Sequence, residues 1–193
     1  AKAHEARIDL SAHGFYATPG LFYDGAAERG SPFAYHVYGC AVITAEVDTI
    51  RGTYRIDSAT LVHDAGNLID EVVDRGQTEG ALAQGLGWAL LEDLRYDEAG
   101  KLLSDTLSTY KLPDAHFLDF PVDLEFLADA PNPKAILKSK AIGEPPFMYG
   151  IAGYFAVLDA LKAARRDRLR APGFHDLPLT PEKALDYLSG VIP

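Results

Sequence analysis

The sequence predicts an α+β fold: a mostly antiparallel sheet with helices packed against it. Three observations predict it. Residues 34–49, AYHVYGCAVITAEVDT, alternate and are rich in β-branched and aromatic side chains, which reads as a strand. Residues 54–66, YRIDSATLVHDAG, follow after the short turn IRGT (50–53) and read as the antiparallel partner. The hydrophobic period then becomes helical over 74–94, DRGQTEGALAQGLGWALLEDL, and again over roughly 147–166.

The remaining elements follow in order. LRYDEAGKLLS (94–104) reads as a hairpin turning at DEAG, STYKLPDAHFLDFP (108–121) as a loop, and VDLEFLAD (122–129) as a further strand. Near the end, LTPEKALDYLSG (179–190) offers a Thr N-cap, Pro at the first helical position, Glu in the first turn and Gly past the end, so a short helix is expected. No repeat, low-complexity tract or linker interrupts the chain before about residue 170. Residues 1–170 are therefore read as one domain portion and 171–193 as a C-terminal tail with the short helix.

Composition bounds the function classes. The chain has 193 residues, 48% of them apolar, enough for a sizeable core. A net charge of −10 argues against a phosphate-backbone partner. The one dense basic run, KAARRDRLR (162–170), suits a helix C-terminus. A single cysteine, Cys40, leaves no internal disulfide framework and no Cys-rich metal or cluster site, and fits a reducing cytoplasm. No stretch approaches 18 unbroken apolar residues, so no membrane partner is expected. The opening, AKAHEARIDLSAHGFYATPG, has no initiator Met and enters polar, aromatic loop sequence, which suits a piece of a longer polypeptide or one chain of an assembly.

Two segments carry candidate chemistry. The helix at 74–94 holds Gly80, Gly85 and Gly87 in its interior, each costing about 0.8–1 kcal/mol relative to alanine. Gln77, Gly80, Gln84 and Gly87 share one face, while Leu82, Leu86 and Leu90 share another with core character. Such an amide-and-glycine face serves either tight packing with the glutamines at the rim or close approach of a ligand, and spacing alone favours packing. In the second segment, SKAIGEPPFMYG (139–150), a residue before proline is biased out of the α region, so Glu144 and Pro145 should both be extended. The helix then starts near Phe147, with Phe147, Ile151, Phe155, Leu158 and Leu161 as its apolar stripe. A carboxylate fixed just ahead of a helix faces the positive end of its dipole, as a general base beside a pocket would require. Taken by itself, the pattern is most simply a support for the helix start.

Other motifs are weaker. The six histidines show no metal-ligand spacing, and His63–Asp64 reads as a strand-end turn and not a catalytic dyad. Neither glycine-rich run, GAAERG nor GQTEGALAQGLG, follows a strand as a nucleotide-binding fingerprint would, and there is no nucleophile elbow.

Three motifs in order, GQTEGALAQGLGWALLEDLRYDEAGKLL, STYKLP and SKAIGEPPFMYGIAGYFAVLDAL, resemble the C-terminal part of the molybdenum-binding large subunit of xanthine dehydrogenases, within the xanthine oxidase family of molybdenum hydroxylases. The upstream stretches SPFAYHVYGCAVITAEVDTIRGTYRI and LVHDAG fit the same region, so the resemblance covers roughly residues 10–166. It implies a molybdopterin-binding domain of the aldehyde oxidase/xanthine dehydrogenase type. It also implies that Glu144, in the GEPP motif, is the base that deprotonates a molybdenum-bound hydroxyl attacking an electron-poor carbon, with hydride passing to a sulfido ligand. Gln77, the first glutamine of GQxEG, would hydrogen-bond the molybdopterin, and the backbone of Ile142 and Gly143 would run along it. The pterin holds the metal, so no protein metal ligand is implied. Iron–sulfur clusters of the 2Fe–2S type and FAD are implied in other domains or subunits, and a homo-oligomer is typical of the family.

The sequence departs from the family in places. Where the family often has NPxxDxGQ, this chain reads GNLIDEVVDRGQ (66–77). The family's upstream cofactor-contacting and substrate-orienting segments have no match here, so the isolated chain is expected to be inactive. GEPP followed by Phe leans toward a purine-like substrate of the xanthine or hypoxanthine type. The alternatives are the same chemistry on an aldehyde or another heterocycle, or a non-catalytic remnant or assembly domain.

Overall fold

The computed structural model describes residues 1–165 and 176–190. The chain divides into two compact units, Ala1–His36 and Val37–Pro193. The first unit contains a single helical turn, α1 (Lys2–Glu5), and an antiparallel hairpin of β1 (Phe22–Asp24) and β2 (Arg29–Ser31). Asp24 organises the hairpin turn, its carboxylate accepting the N–H of Ala26 at 2.9 Å. Strands of three residues are too short for alternation to register, so no periodicity marks this hairpin in the sequence.

The second unit is built on a three-stranded sheet with the order β3 (Gly39–Val47), β4 (Tyr54–His63), β5 (Val122–Phe126). The first pair is antiparallel, running from Gly39 opposite His63 to Val47 opposite Tyr54, with a register shift between Thr44 and Ala45. The expected strand at 122–129 forms, but it pairs in parallel with β4, Ala59 lying opposite Val122. Alternation encodes which face is buried, not strand direction. The long return through α2 (Glu71–Leu90) is what permits the parallel seam. Along β4, Ala59, Leu61 and His63 are the buried positions, so the histidine sits in register with the core.

Helix α2 starts where Asp70 caps it, accepting from the N–H groups of Val72 and Val73 at 3.1 and 3.2 Å. Leu82 and Leu86 are fully buried, as their spacing predicts. Burying a leucine of this kind contributes about 1.5–3 kcal/mol. The second expected helix begins as a 3-10 turn, Pro145–Tyr149, and continues as α3 (Gly150–Ala164). Most of the basic run expected at its end (166–170) lies outside the described residues. Its buried face is Tyr154, Val157, Leu158 and Leu161, whereas Phe155 of the predicted stripe is 54% exposed. Glycines at 150 and 153 turn a different side of α3 toward α2 than the large apolar residues alone suggest. By length and composition the 20 residues of Pro145–Ala164 could cross a bilayer, an 18-residue window within them having a mean hydropathy of 1.2; here the run packs on α2 and the sheet.

Helix α4 (Pro181–Ser189) has the predicted cap, Thr180, and ends at Gly190 with φ 76°. The phenol of Tyr54 lies against the carbonyls of Leu90 and Leu179, tying the start of β4 to the end of α2 and the approach to α4. The expected hairpin at 94–104 is reduced to one bridge between Tyr96 and Leu102.

The crossing of α2 with the 3-10 turn and α3 positions everything that follows. A Cβ on Gly85 would stand 2.0 Å from the carbonyl oxygen of Phe147, and one on Gly150 would stand 2.1 Å from the backbone of Gly85. The two backbones therefore touch with no side chain between them. Trp88 and Phe147 stack beside the crossing with ring centroids 5.5 Å apart. Gly80, five residues earlier on α2, faces open space with nothing within 4 Å.

Opposite signs are expected at the two kinds of glycine. Gly85→Ala and Gly150→Ala should each destabilise the chain by about 1–3 kcal/mol or more through overpacking. Gly80→Ala should stabilise it by about 0.5–1 kcal/mol. Denaturant midpoints read both, and a destabilised Gly80→Ala would contradict the open setting.

Candidate functional site

The second candidate segment enters the site through residues 138–140, which are held against the stretch just after β4. The backbone N–H of Lys140 donates to Ala65 at 2.8 Å, and that of Asn67 donates to Lys138 at 3.0 Å. Gly66 and Ser139 form an isolated bridge. Buried Asn132 adds a donor to the carbonyl of Ser139 at 3.2 Å and receives support through its own N–H to Lys138 at 2.9 Å. The ammonium of Lys140 pairs with the carboxylate of Asp64, the two side chains being 10% and 3% exposed. A pair so far out of water holds its geometry, because losing either partner strands a charge.

Glu144 comes next, and its backbone departs from the expectation. It is not extended: φ is −101° and ψ −44°, and it serves as the N-cap of the 3-10 turn. Glu144 thus adopts the geometry that a following proline disfavours, while Pro145 itself sits well at the first helical position, where its missing N–H is not needed. The carbonyl of Glu144 accepts the N–H of Phe147 at 3.0 Å, while its side chain makes no capping bond and is exposed. With Pro145 and Pro146 offering no N–H groups, the carboxylate is left facing outward.

Gln77 is brought to the same place. Its Oε1 lies 3.1 Å from where a Cβ on Gly143 would stand, so the GQxEG and GEPP segments meet side chain to backbone. Ile142 and Gly143 are half-buried, and Gln77, Gly80 and Gln84 are exposed on the outer side of α2. The predicted amide-and-glycine face therefore divides. Gly87 is buried against the ring of Pro113 and the carboxylate of Glu92, which is packing, whereas Gln77, Gly80 and Gln84 stay open. Gly85, off that face, makes the helix crossing.

Sequence reasoning missed part of the surroundings. His63, read as part of a turn, is fully buried, and its Nδ1 shares a hydrogen bond of 2.7 Å with the hydroxyl of Tyr149. Either atom can donate. Its Nε2 is buried with no hydrogen-bond partner. Burial holds the imidazole below its ordinary pKa, with the charge of Asp64 opposing weakly. Burial pushes the Tyr149 phenol up to about 12, helped by Cys40 and Asp64. The phenol lies over Gly39, where a Cβ would be 1.6 Å from the hydroxyl, and Gly39 is the residue opposite His63 in the sheet. The signal was present in the pattern, since His63 continues the every-second-residue series of Ala59 and Leu61.

The face fits a bulky, hydrogen-bonding group laid against it. Gly143 and Gly80 leave backbone accessible, Gln77 presents an amide, and Glu144 supplies a carboxylate at the edge.

Comparisons with known proteins bear on that group. Residues 1–118 match the family described as the molybdopterin cofactor-binding domain. Xanthine dehydrogenase 2 of Arabidopsis thaliana is 39% identical over 185 residues, which is 92% of this chain and 14% of that protein. Xanthine dehydrogenase/oxidase of Rattus norvegicus is 39% identical over 184 residues, 94% of this chain and 14% of that protein. This chain thus spans about 14% of the length of the curated relatives it matches. Among solved structures, the aldehyde oxidoreductase of Desulfovibrio gigas superposes with a TM-score of 0.70 at 27% identity, over 97% of this chain and 19% of that one. The quinoline 2-oxidoreductase of Pseudomonas putida 86 gives 0.64 at 29% identity, over 76% and 18%.

The buried histidine makes stability depend on pH with a definite sign. Its folded pKa lies below the ordinary 6.5, so the unfolded chain takes up the proton first as pH falls. The contribution is complete above 6.5 and is lost as pH drops toward the folded value. Denaturant stability of the wild type should therefore fall more steeply below that pH than that of His63→Gln, by up to about 1.4 kcal/mol per pH unit for one proton. Parallel profiles for the two would contradict the assignment.

Proposed function

The chain belongs to the molybdopterin cofactor-binding domain family, as found in the xanthine oxidase family of molybdenum hydroxylases, and from that premise we propose that it carries the general base of such an enzyme. The observation that supports this best is the meeting of Gln77 with Gly143, one residue before an exposed glutamate. Two segments far apart in sequence converge there, and the convergence leaves an amide, an open backbone and a carboxylate on one edge.

When bound, the molybdenum–pterin group would supply the oxidation and the oxygen that is transferred. This chain's residues do the rest. Gln77 would hold the pterin through its amide, together with the backbone of Ile142 and Gly143, where position 143 has no side chain to hold the group off. Glu144 takes up a proton at its carboxylate, which makes the attacking oxygen a stronger nucleophile. The substrate is then a small molecule with an electron-poor carbon. Identity near 40% to xanthine dehydrogenases supports a purine-like heterocycle. Aldehydes or other heterocycles are the second reading, supported by the likeness to the aldehyde and quinoline enzymes. The remaining part of the molybdenum subunit, with iron–sulfur and FAD domains or subunits, would be its partners, probed by co-purification. A non-catalytic assembly role is the competing reading, and molybdenum absent from the intact complex would favour it.

In the assembled enzyme, Glu144→Gln should keep its molybdenum and pterin but lose roughly 10²- to 10⁴-fold in kcat. Near-normal turnover by a fully loaded variant would refute the base.

Gly143→Ala should lower the molybdenum content per chain, since its Cβ would press on the Gln77 amide at 3.1 Å, and Gln77→Ala should do the same by removing that amide. Metal analysis of the purified complex reads both, and full occupancy in both would refute the cofactor contacts.

A further inference from the structure

We propose that His63 and Asp64 are positioning residues for Glu144, gripping the chain on either side of it through Tyr149 and Lys140. The inference rests on Glu144 being the base. His63 and Asp64 are neighbours at the end of β4, and the two side chains hold two different segments. His63 is the last residue of β4 and points into the core. Asp64 begins the turn that follows, its backbone N–H donating to Tyr38 at 2.9 Å and its carboxylate accepting the N–H of Gly66 at 3.1 Å. From this one fixed point Asp64 holds Lys140, four residues before Glu144, and His63 holds Tyr149, five residues after it.

The arrangement is poorly suited to stability alone. An apolar pair of similar volume would serve a core as well as or better than a buried ion pair. The imidazole leaves Nε2 without a partner, a cost that a core leucine or phenylalanine would avoid. What these polar groups provide is a single geometry, since each grip fails if the partner moves by more than a fraction of an ångström. Between the grips the chain is stiffened by Pro145 and Pro146, the latter buried, and Gly143 is seated beside Gln77. The carboxylate itself makes no capping bond, so its placement comes from the backbone on both sides. Deviations of even about 1 Å in a reacting group can cost on the order of 10²-fold in rate.

The test uses the assembled, molybdenum-loaded enzyme. The double variant Asp64→Asn/Lys140→Met removes the pair without leaving a buried charge, Tyr149→Phe removes one hydroxyl, and Lys140→Arg keeps the charge. The double variant should lose roughly 10- to 100-fold in kcat, with KM within about twofold of wild type and molybdenum content unchanged. Amide exchange at Ala141–Glu144 should quicken in the double variant and in Tyr149→Phe, and Lys140→Arg should restore most of both. Unchanged kcat and exchange in loaded variants would overturn the proposal, as would a kcat loss matched by loss of molybdenum. If the double variant does not assemble, Tyr149→Phe decides, and wild-type exchange and kcat there would overturn it. Glu144→Gln run in parallel separates the two readings: normal turnover by that variant removes the base, while exchange at 141–144 still reports on the grip.

Discussion

The buried ion pair of Asp64 and Lys140 is the constraint on which the rest of the site depends. Two charges nearly out of water are costly to place, and removing either partner typically costs about 3–5 kcal/mol. The cost fixes a relation between the end of a core strand and a segment 76 positions away in the chain. Around it the backbone forms the hydrogen bonds of a short irregular ladder, 65–67 against 138–140. The strand end is rigid because β4 lies between β3 and β5. Rigidity is passed from the sheet to the GEPP segment through this contact, and an exposed loop becomes a fixed support.

A second rigid contact, the Gly85–Gly150 crossing, brings α2 to that support. The glycines of α2 thus do different jobs that spacing alone could not separate. Gly85 and Gly87 are buried and admit a backbone or a proline ring, while Gly80 is exposed with nothing near it. A helix that needed only to pack would gain about 0.8–1 kcal/mol from alanine at position 80. Its retention on the same side as Gln77 and Gln84 suits a face kept clear for something outside these elements.

The sequence was most legible where a signal is local. The Thr180, Pro181 and Gly190 signature of α4, the leucine series of α2 and the alternation of β4 all correspond to observed elements. Glu144 shows how a local bias can lose: proline disfavours a helical predecessor, yet Glu144 is helical ahead of a turn packed against α2. Phe155 shows the limit of periodicity, because two glycines, invisible to a hydrophobic count, chose which side of α3 meets α2. Strand direction for β5 and the partner of Lys140 were not legible because both are set by tertiary placement. Within the candidate site, Glu144, Gln77 and Gly143 were singled out through motif resemblance, and the structure brings Gln77 beside Gly143. The buried residues that hold them carry no motif of their own.

The exposure of Glu144 has a physical consequence for the proposed chemistry. A carboxylate in open water is well solvated, and its basicity toward a reacting group rises only when that water is excluded. This stretch is about 14% of the length of its relatives, which are thus about seven times longer and have further elements that could exclude that water. The same end of α2 carries Ile69, Val72 and Val73, which are 64%, 83% and 55% exposed, side chains that would gain from being covered. Covering them would bring neighbouring protein toward Gln77, one to two helical turns further on, and so toward Glu144. On the proposed reading the grip on Glu144 lies within this chain, whereas solvent exclusion would fall to whatever covers this edge.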